Sequence, residues 1–358
     1  MKVKILALFQ RDRGIFAGAF SGYFRWTLLV MILVTPLFFF TGNGNLIQLI
    51  IVFSILALSY DFFSGYTGYY NLGFGAIAAI GAYVFTFATN ANMNLFVGLL
   101  FAGVAGAIFA LAISYPFLRL RGAYFAIATL ALVLFLDIAD INLISITGGE
   151  VGIHVLVGRQ VTSYDGSLLF LFGTLGLLLV CIAVHFVIGR SRLGLALRSI
   201  REEEDVSESY GVNAFRTKQI VMVISGFFGG LGGSVFAIYS GFINPDSVLG
   251  LGIALTPVVA AMAGGGGIFL GPLAGTFLLE GIEQTLPTYL DTVNTNVASY
   301  IGPLVVTGVL LLLVGLFLPT GIVRLKFLQR FMYRNPDRYL GLRRSKAQVP
   351  SQKAKAKT

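Results

Sequence analysis

Charge is scarce in this chain. Only 11% of its 358 residues are Asp, Glu, Lys or Arg, against roughly 25% in an average soluble domain. Between Trp26 and Leu118 the one charged side chain is Asp61, and between Gln219 and Val323 there is no Lys or Arg at all. Stretches of this kind exclude an ordinary water-facing surface and read as membrane spans, each needing about 20 mostly apolar residues. Uninterrupted apolar runs point to helices rather than to the alternating pattern of a barrel. Cysteine is nearly absent: Cys181 stands alone in an apolar run, so no disulfide within the chain is available and packing is its expected role. The two histidines, His154 and His185, are far apart with no Cys or acid at ligand spacing, which speaks against a metal centre. No G-x-x-x-x-G-K-S/T loop occurs, so the chain has no phosphate cradle for ATP. No nucleophile–base arrangement is visible either. The expectation is a protein that is not an enzyme and holds no cofactor or metal of its own.

What is present is a series of ten apolar segments, at about 26–41, 45–62, 72–89, 95–118, 123–141, 168–189, 219–240, 251–263, 268–286 and 299–318. The expected fold is all-α, a polytopic membrane protein of about 8–10 transmembrane helices, some broken or re-entrant. Leu72–Thr89 is interrupted by Gly73, Gly75 and Gly81, and the eighth segment is short and contains Pro257. Broken helices are tolerated in a bilayer only where protein or a water-filled cavity covers them. Of 25 Lys and Arg, 24 fall in four segments: 1–25, 119–121, 190–218 and 324–358. With the N-terminus in the cytoplasm, alternating spans bring all four clusters to the cytoplasmic side, as the positive-inside bias requires. The outer loops then hold Arg159 and four acids, Glu150, Asp165, Asp246 and Asp291. This gives three regions: a basic cytoplasmic N-terminus (1–25), a transmembrane domain (26–323) and a basic, disordered cytoplasmic tail (324–358). The first apolar segment is expected to be an uncleaved span rather than a signal peptide. The net charge of +9 follows from this bias and from attraction to anionic lipid, not from nucleic-acid binding. The expected location is the cell membrane, with both termini cytoplasmic.

Residues 190–218 break the pattern. They carry six basic side chains (Arg190, Arg192, Arg198, Arg201, Arg216, Lys218) and five acidic ones (Glu202, Glu203, Glu204, Asp205, Glu208). Eleven charges inside a bilayer would cost on the order of 30 kcal/mol, so this island is expected in water. Leu193, Ala196, Leu197 and Ile200 form one apolar stripe of a helix, with Arg192, Arg198 and Arg201 opposite. A second short helical stretch ends at Gly211, a residue suited to a C-cap, and Asn213 begins the turn into the next span. A stripe flanked by both signs of charge suits a protein groove better than anionic lipid, which would repel the acids. The island is therefore expected to be a knob that docks into a cytoplasmic protein. In the following span, Gly226, Gly229, Gly230 and Gly233 give small-xxx-small spacings that permit close helix approach. Gly264–Gly267 is expected to be a turn between two spans.

Ionisable groups within spans are candidates for a substrate path. Asp61 is one; Asp137 with Asp140, and Glu280 with Glu283, are spaced i, i+3 on single helix faces. Tyr69, Tyr70 and Asn71 border a broken helix whose end could hold a carboxylate or an amine. The candidate path residues are Asp61, Tyr70, Asn71, Gly73, Tyr83 and Glu280.

Five ordered motifs carry a resemblance. They are Asn71-Leu-Gly-Phe-Gly-Ala with Gly81-Ala-Tyr83; Leu118-Arg-Leu-Arg-Gly-Ala-Tyr-Phe-Ala-Ile-Ala-Thr129; Arg192-Leu-Gly-Leu-Ala-Leu-Arg-Ser-Ile-Arg-Glu-Glu-Glu-Asp with Tyr210-Gly-Val-Asn213; Gly241-Phe-Ile-Asn-Pro-Asp-Ser247; and Ala263-Gly-Gly-Gly-Gly-Ile-Phe-Leu-Gly-Pro-Leu-Ala-Gly275. Together, from about Leu58 to Pro319, they resemble branched-chain amino acid ABC transporter permeases of the LivM/LivH type. The resemblance implies an importer permease for branched-chain or other hydrophobic amino acids. It implies a second permease subunit (LivH-like or a second copy), two ATPase subunits that use ATP and Mg²⁺, and an extracytoplasmic binding protein. Arg198–Gly211 is similar to the loop by which such permeases engage the ATPase. By that resemblance the docking residues are Leu197, Arg198, Ile200, Arg201, Glu202, Glu203, Glu204, Asp205, Glu208 and Gly211. Departures from the family pattern are Ser207 and Ser209 for small alanines, Asn71 and Phe74 for Ser and His, and Leu134 and Asp137 for an acid and an Arg. Related systems import urea or short amides, and a stand-alone secondary transporter or channel is the alternative of another class.

Overall fold

The structure, a computed structural model, describes residues 44–156, 164–268, 271–293 and 308–309. The basic termini, the first apolar segment, almost all of the last one and Arg159 lie outside the described residues. The described chain is all-α apart from a two-residue strand pair. Its helices are α1 (Gly44–Thr67), α2 (Phe74–Asn90), α3 (Leu95–Phe117), α4 (Ala123–Asn142), α5 (Ile144–Thr147), α6 (Tyr164–Arg190), α7 (Arg192–Glu202), α8 (Glu204–Ser209), α9 (Ala214–Ser240), α10 (Pro245–Leu249), α11 (Leu251–Gly264) and α12 (Gly271–Val293). Among the described residues, α1, α3, α4, α6, α9 and the α10–α11 pair are long and apolar enough to cross a bilayer. This is a multi-pass membrane protein.

Two of the expected interruptions resolve differently. α2 runs unbroken from Phe74 to Asn90, and Gly75 and Gly81 sit inside it. They are small because neighbouring chain presses on them: a Cβ at Gly75 would collide with Ala254, and one at Gly81 with Gly230. The eighth segment is likewise unbroken: α11 runs through Pro257, and Gly250, just before the segment, separates it from the short α10. α12 continues to Val293, past its expected end at 286.

α9 is a central helix, packed on α3, α2 and α1. Its glycines let backbones touch: a Cβ on Gly230 would strike the Ala102 carbonyl, one on Gly233 the Ala78 carbonyl, and one on Gly106 the Gly226 carbonyl. In lipid, where hydrophobic burial hardly distinguishes helix from hydrocarbon, close van der Waals packing of this kind holds helices together. α1 is nearly enclosed, with Ile55, Leu58, Phe62 and Phe63 fully buried. It runs antiparallel to α9. Tyr239 of α9 donates to the Asn45 carbonyl at one end, the Ser225 hydroxyl donates to the Ser59 carbonyl at 2.6 Å midway, and Lys218 meets Tyr69 at the other end.

The loops gather into two rims. At one, β1 (Ile153–His154) pairs antiparallel with β2 (Phe242–Ile243). The Asn90 side chain donates to the His154 carbonyl and accepts from the Leu156 N–H. Asn244 and Ser247 close a capping box on α10. At the other rim lie the 68–73 connection, Arg121, the 190–218 island and the tetraglycine turn. These two groups coincide with the two sides to which the charge pattern assigns the same loops.

Candidate functional site

The charged rim is built from α7 and α8. Ser191 caps α7, its Oγ accepting the Gly194 N–H. Gly194 has no room for a side chain, because the Ile188 carbonyl lies against it. The apolar stripe then turns inward. Leu197 and Ile200 are buried, with α7 packed against α6, α1 and α9. The stripe expected to face a partner groove is thus covered by the chain itself, and Leu197 and Ile200 are out of reach of a docking protein. Outward the rim shows Arg198, Glu202, Glu203, Asp205, Glu208 and Gly211. It also shows three apolar side chains that the stripe argument passes over: Leu195, Val206 and Tyr210, the last 85% exposed. Glu203 is extended (φ −159°, ψ 109°) and forms the corner between the two helices. Gly211, at φ +87°, ends the second helical stretch as a left-handed residue after the helix cap.

The island is not wholly in water, contrary to what its charge count implies. Lys218, in the first turns of α9, is only 1% exposed. Its ammonium lies 2.7 Å from Glu204 Oε1 and 4.4 Å from the centre of the Tyr69 ring. The Tyr69 hydroxyl donates to the other Glu204 oxygen at 2.5 Å. A buried ammonium survives here because a carboxylate and a ring face replace its water. Burial alone would raise the Glu204 carboxyl, but Lys218, Tyr69 and Arg121 outweigh it and hold the group below its ordinary value. Burial and the bond to Glu204 push the Tyr69 hydroxyl up. Arg121 pairs with Asp205 at 3.0 Å with both side chains mostly exposed, an arrangement that water screens and that adds little to stability. The bond to Asp205 raises the Arg121 guanidinium.

Arg201 stands at the edge between the two faces of α7. Part of it is exposed, while its Nη1–H turns inward and donates to the Gly65 carbonyl at 2.7 Å. One turn earlier on α1, fully buried Asp61 accepts the Gly267 N–H at 2.9 Å and stands 2.8 Å from His185 Nε2. The Tyr66 hydroxyl donates to the His185 carbonyl at 3.0 Å. The expected turn forms at Gly265–Gly267, Gly264 ending α11; Gly267 is at φ +76°, and the turn abuts the end of α1 at Gly65. His185 has no acid nearby in sequence, yet it receives one from 124 residues upstream.

The six candidate path residues do not converge. Asp61 is enclosed and bonded on both oxygens rather than lining an opening. Asn71 is buried and precedes α2, its side chain accepting the Gly73 N–H at 3.1 Å. Gly73 is small because the Thr129 carbonyl of α4 lies over it. Tyr70 is half-exposed at the charged rim. Tyr83 is near the opposite rim, where its hydroxyl donates to Asp140 at 2.5 Å. Glu280 is buried on α12, and its Oε1 has no hydrogen-bond partner among the described residues. A small apolar cavity of about 20 Å³ lies between Leu56, Ala79, Phe236, Val248 and Ala254, room for about one water.

Sequence reasoning missed the Tyr69–Glu204–Lys218 and Asp61–His185–Gly267 groups. One signal pointed to them. An ionisable residue isolated in an apolar run must find a partner, and Asp61, His185 and Lys218 each stand in or at the edge of such a run.

A family model described as the permease component of branched-chain amino acid transport systems matches residues 43–315. The chain is 31% identical over 291 residues to LivM, the high-affinity branched-chain amino acid transport system permease protein of Salmonella typhimurium, covering 73% of this chain and 67% of LivM. It is 26% identical over 310 residues to LivH of Escherichia coli, covering 80% of this chain and 96% of LivH. To the nucleoside ABC transporter permease protein NupC of Lactococcus lactis it is 26% identical over 208 residues, covering 53% and 65%. No solved structure matches the chain.

Proposed function

The chain belongs to the family of branched-chain amino acid transport permeases, and on that premise we propose that it carries branched-chain or other hydrophobic amino acids into the cell. It is an ABC-transporter permease component, not an enzyme. Two ATPase subunits supply the hydrolysis, with ATP and Mg²⁺ bound by them. A second permease subunit, LivH-like or another copy, completes the pore, and an extracytoplasmic binding protein delivers substrate. Both termini and the charged rim face the cytoplasm, a reading supported by where the basic residues fall.

The observation that carries the proposal is the two-sided character of α7 and α8. The apolar side of α7, Leu197 and Ile200, is packed on the membrane helices, while Arg198, Glu202, Glu203, Asp205 and Glu208 stand outward with Val206 and Tyr210 among them. A face of mixed charge around a protruding aromatic suits a protein partner, since Tyr is a common interface anchor.

The test is reconstitution in vesicles with the cognate ATPases and candidate binding proteins. ATP hydrolysis is expected to rise with leucine- or valine-loaded binding protein. The likeness to NupC favours nucleosides as the second reading, and stimulation by a nucleoside-loaded protein alone would install it. Transport by the purified chain without ATPase would remove the importer reading. For the docking face, Arg198→Glu with Glu203→Lys is expected to abolish ATPase co-purification while leaving membrane insertion intact. Undiminished co-purification would take those residues out of the interface.

A further inference from the structure

We infer that Arg201 is a positioning residue that transmits movement of α7 to the membrane helices, rather than an anchor for the docked ATPase. The inference rests on the importer reading above and assigns a route within it. α1 ends at Thr67, so the carbonyls of its last turn lack intrahelical donors. The Gly65 carbonyl is one of them: the Tyr69 N–H that would bond it in a longer helix bonds the Thr67 hydroxyl instead, at 3.2 Å. Arg201 takes that place, donating to Gly65 at 2.7 Å, and sets a cation against the negative end of the α1 dipole. The Arg201 stem lies over Gly68, and its Nη1 lies beside Gly267. One guanidinium thus meets the end of α1 and the turn that leaves α11.

From that point the contacts branch. Asp61, one turn back along α1, holds the Gly267 N–H and the His185 imidazole. Through these bonds α1, the tetraglycine turn and α6 are tied into one unit, and Arg201 is a polar contact between that unit and α7. The outward residues of α7 and α8 receive a push from the ATPase; Arg201 hands it to the ends of α1 and α11.

The experiment compares Arg201→Ala, Arg201→Gln and Arg201→Lys in the complete complex with ATPases and binding protein, reconstituted in vesicles. For each, ATPase co-purification, ATP hydrolysis and substrate transported per ATP are measured. Arg201→Ala is expected to keep the ATPase and its hydrolysis while transport per ATP falls about ten- to a hundredfold, the weight of one charged hydrogen bond. Arg201→Lys, which keeps a cation near the Gly65 carbonyl, is expected to recover part of the ratio. If the alanine variant fails to insert, the Gln and Lys variants carry the same comparison, since both keep a stem and a donor. Loss of ATPase co-purification would make Arg201 a docking residue and overturn the inference, as would an unchanged ratio. A wild-type complex that does not couple ATP hydrolysis to uptake would remove the importer reading itself, and the inference with it.

Discussion

At the scale of single residues, the Tyr69–Glu204–Lys218 contact is the most exacting. Removing one member of a buried ion pair costs about 3–5 kcal/mol, because the other charge is left without compensation. Glu204→Ala is therefore expected to lower the thermal stability of the purified permease more than the double change Glu204→Gln with Lys218→Met, which strands no charge. A melting series in detergent on the single and double variants checks this. The contact also carries a pH dependence. Glu204 is held below its ordinary value in the folded chain, so its stabilising effect is present above the usual carboxylate value of about 4.3. That contribution is lost as pH falls through the lower folded value. The melting temperature of the wild type is expected to drop more steeply below about pH 4 than that of Glu204→Gln, and parallel curves would deny the contact this role. Little of this was legible in the sequence. Glu204 stands in a run of four acids, Glu202 to Asp205, and only the folded chain singles out the one facing Lys218.

At the scale of helices, the spans were legible from hydropathy, while the role of their glycines was not. Gly73, Gly75 and Gly81 look like interruptions because glycine disfavours helices in water. Two of them instead lie within α2, where neighbouring chain leaves no room for a Cβ. Spacing alone cannot separate a breaking glycine from a packing one. The distinction is testable by alanine substitution. Gly106→Ala and Gly230→Ala push a methyl into the facing carbonyls of α9 and α3, and both are expected to lower the yield of folded permease. Gly173→Ala and Gly176→Ala on α6 meet nothing within 4 Å among the described residues, and should be neutral or stabilising by up to about 1 kcal/mol through helix propensity. Size-exclusion profiles and melting curves of the four variants distinguish the two classes. Equal losses at all four positions would contradict the packing account. The amphipathic α7 was legible as a helix, but the partner of its stripe was not, because a stripe records only that something covers it.

For the whole molecule, the charge pattern anticipated which loops keep company. Arg121 meets Asp205, and Asn90 meets His154, although each pair is far apart in sequence. Alternating spans bring their loops to a common side, and the interactions within each rim follow from that. Which rim faces the cytoplasm is tested by labelling in intact cells with a membrane-impermeant thiol reagent, in a Cys181→Ala background. Val151→Cys, on a residue 82% exposed at the hairpin rim, is expected to react at once. Ser209→Cys, exposed at the charged rim, is expected to react only after the membrane is opened. The reverse order would invert the topology.

α7 and α8 look two ways, and that division bears on how such a subunit could diverge. The outward side chains can be exchanged along with whatever ATPase a cell provides, so partner choice can drift without disturbing the bilayer-embedded half. Leu197, Ile200 and Arg201 have no such freedom, since each is matched to helices of the same polypeptide. A chimera that swaps only the outward residues should change allegiance and keep its stroke.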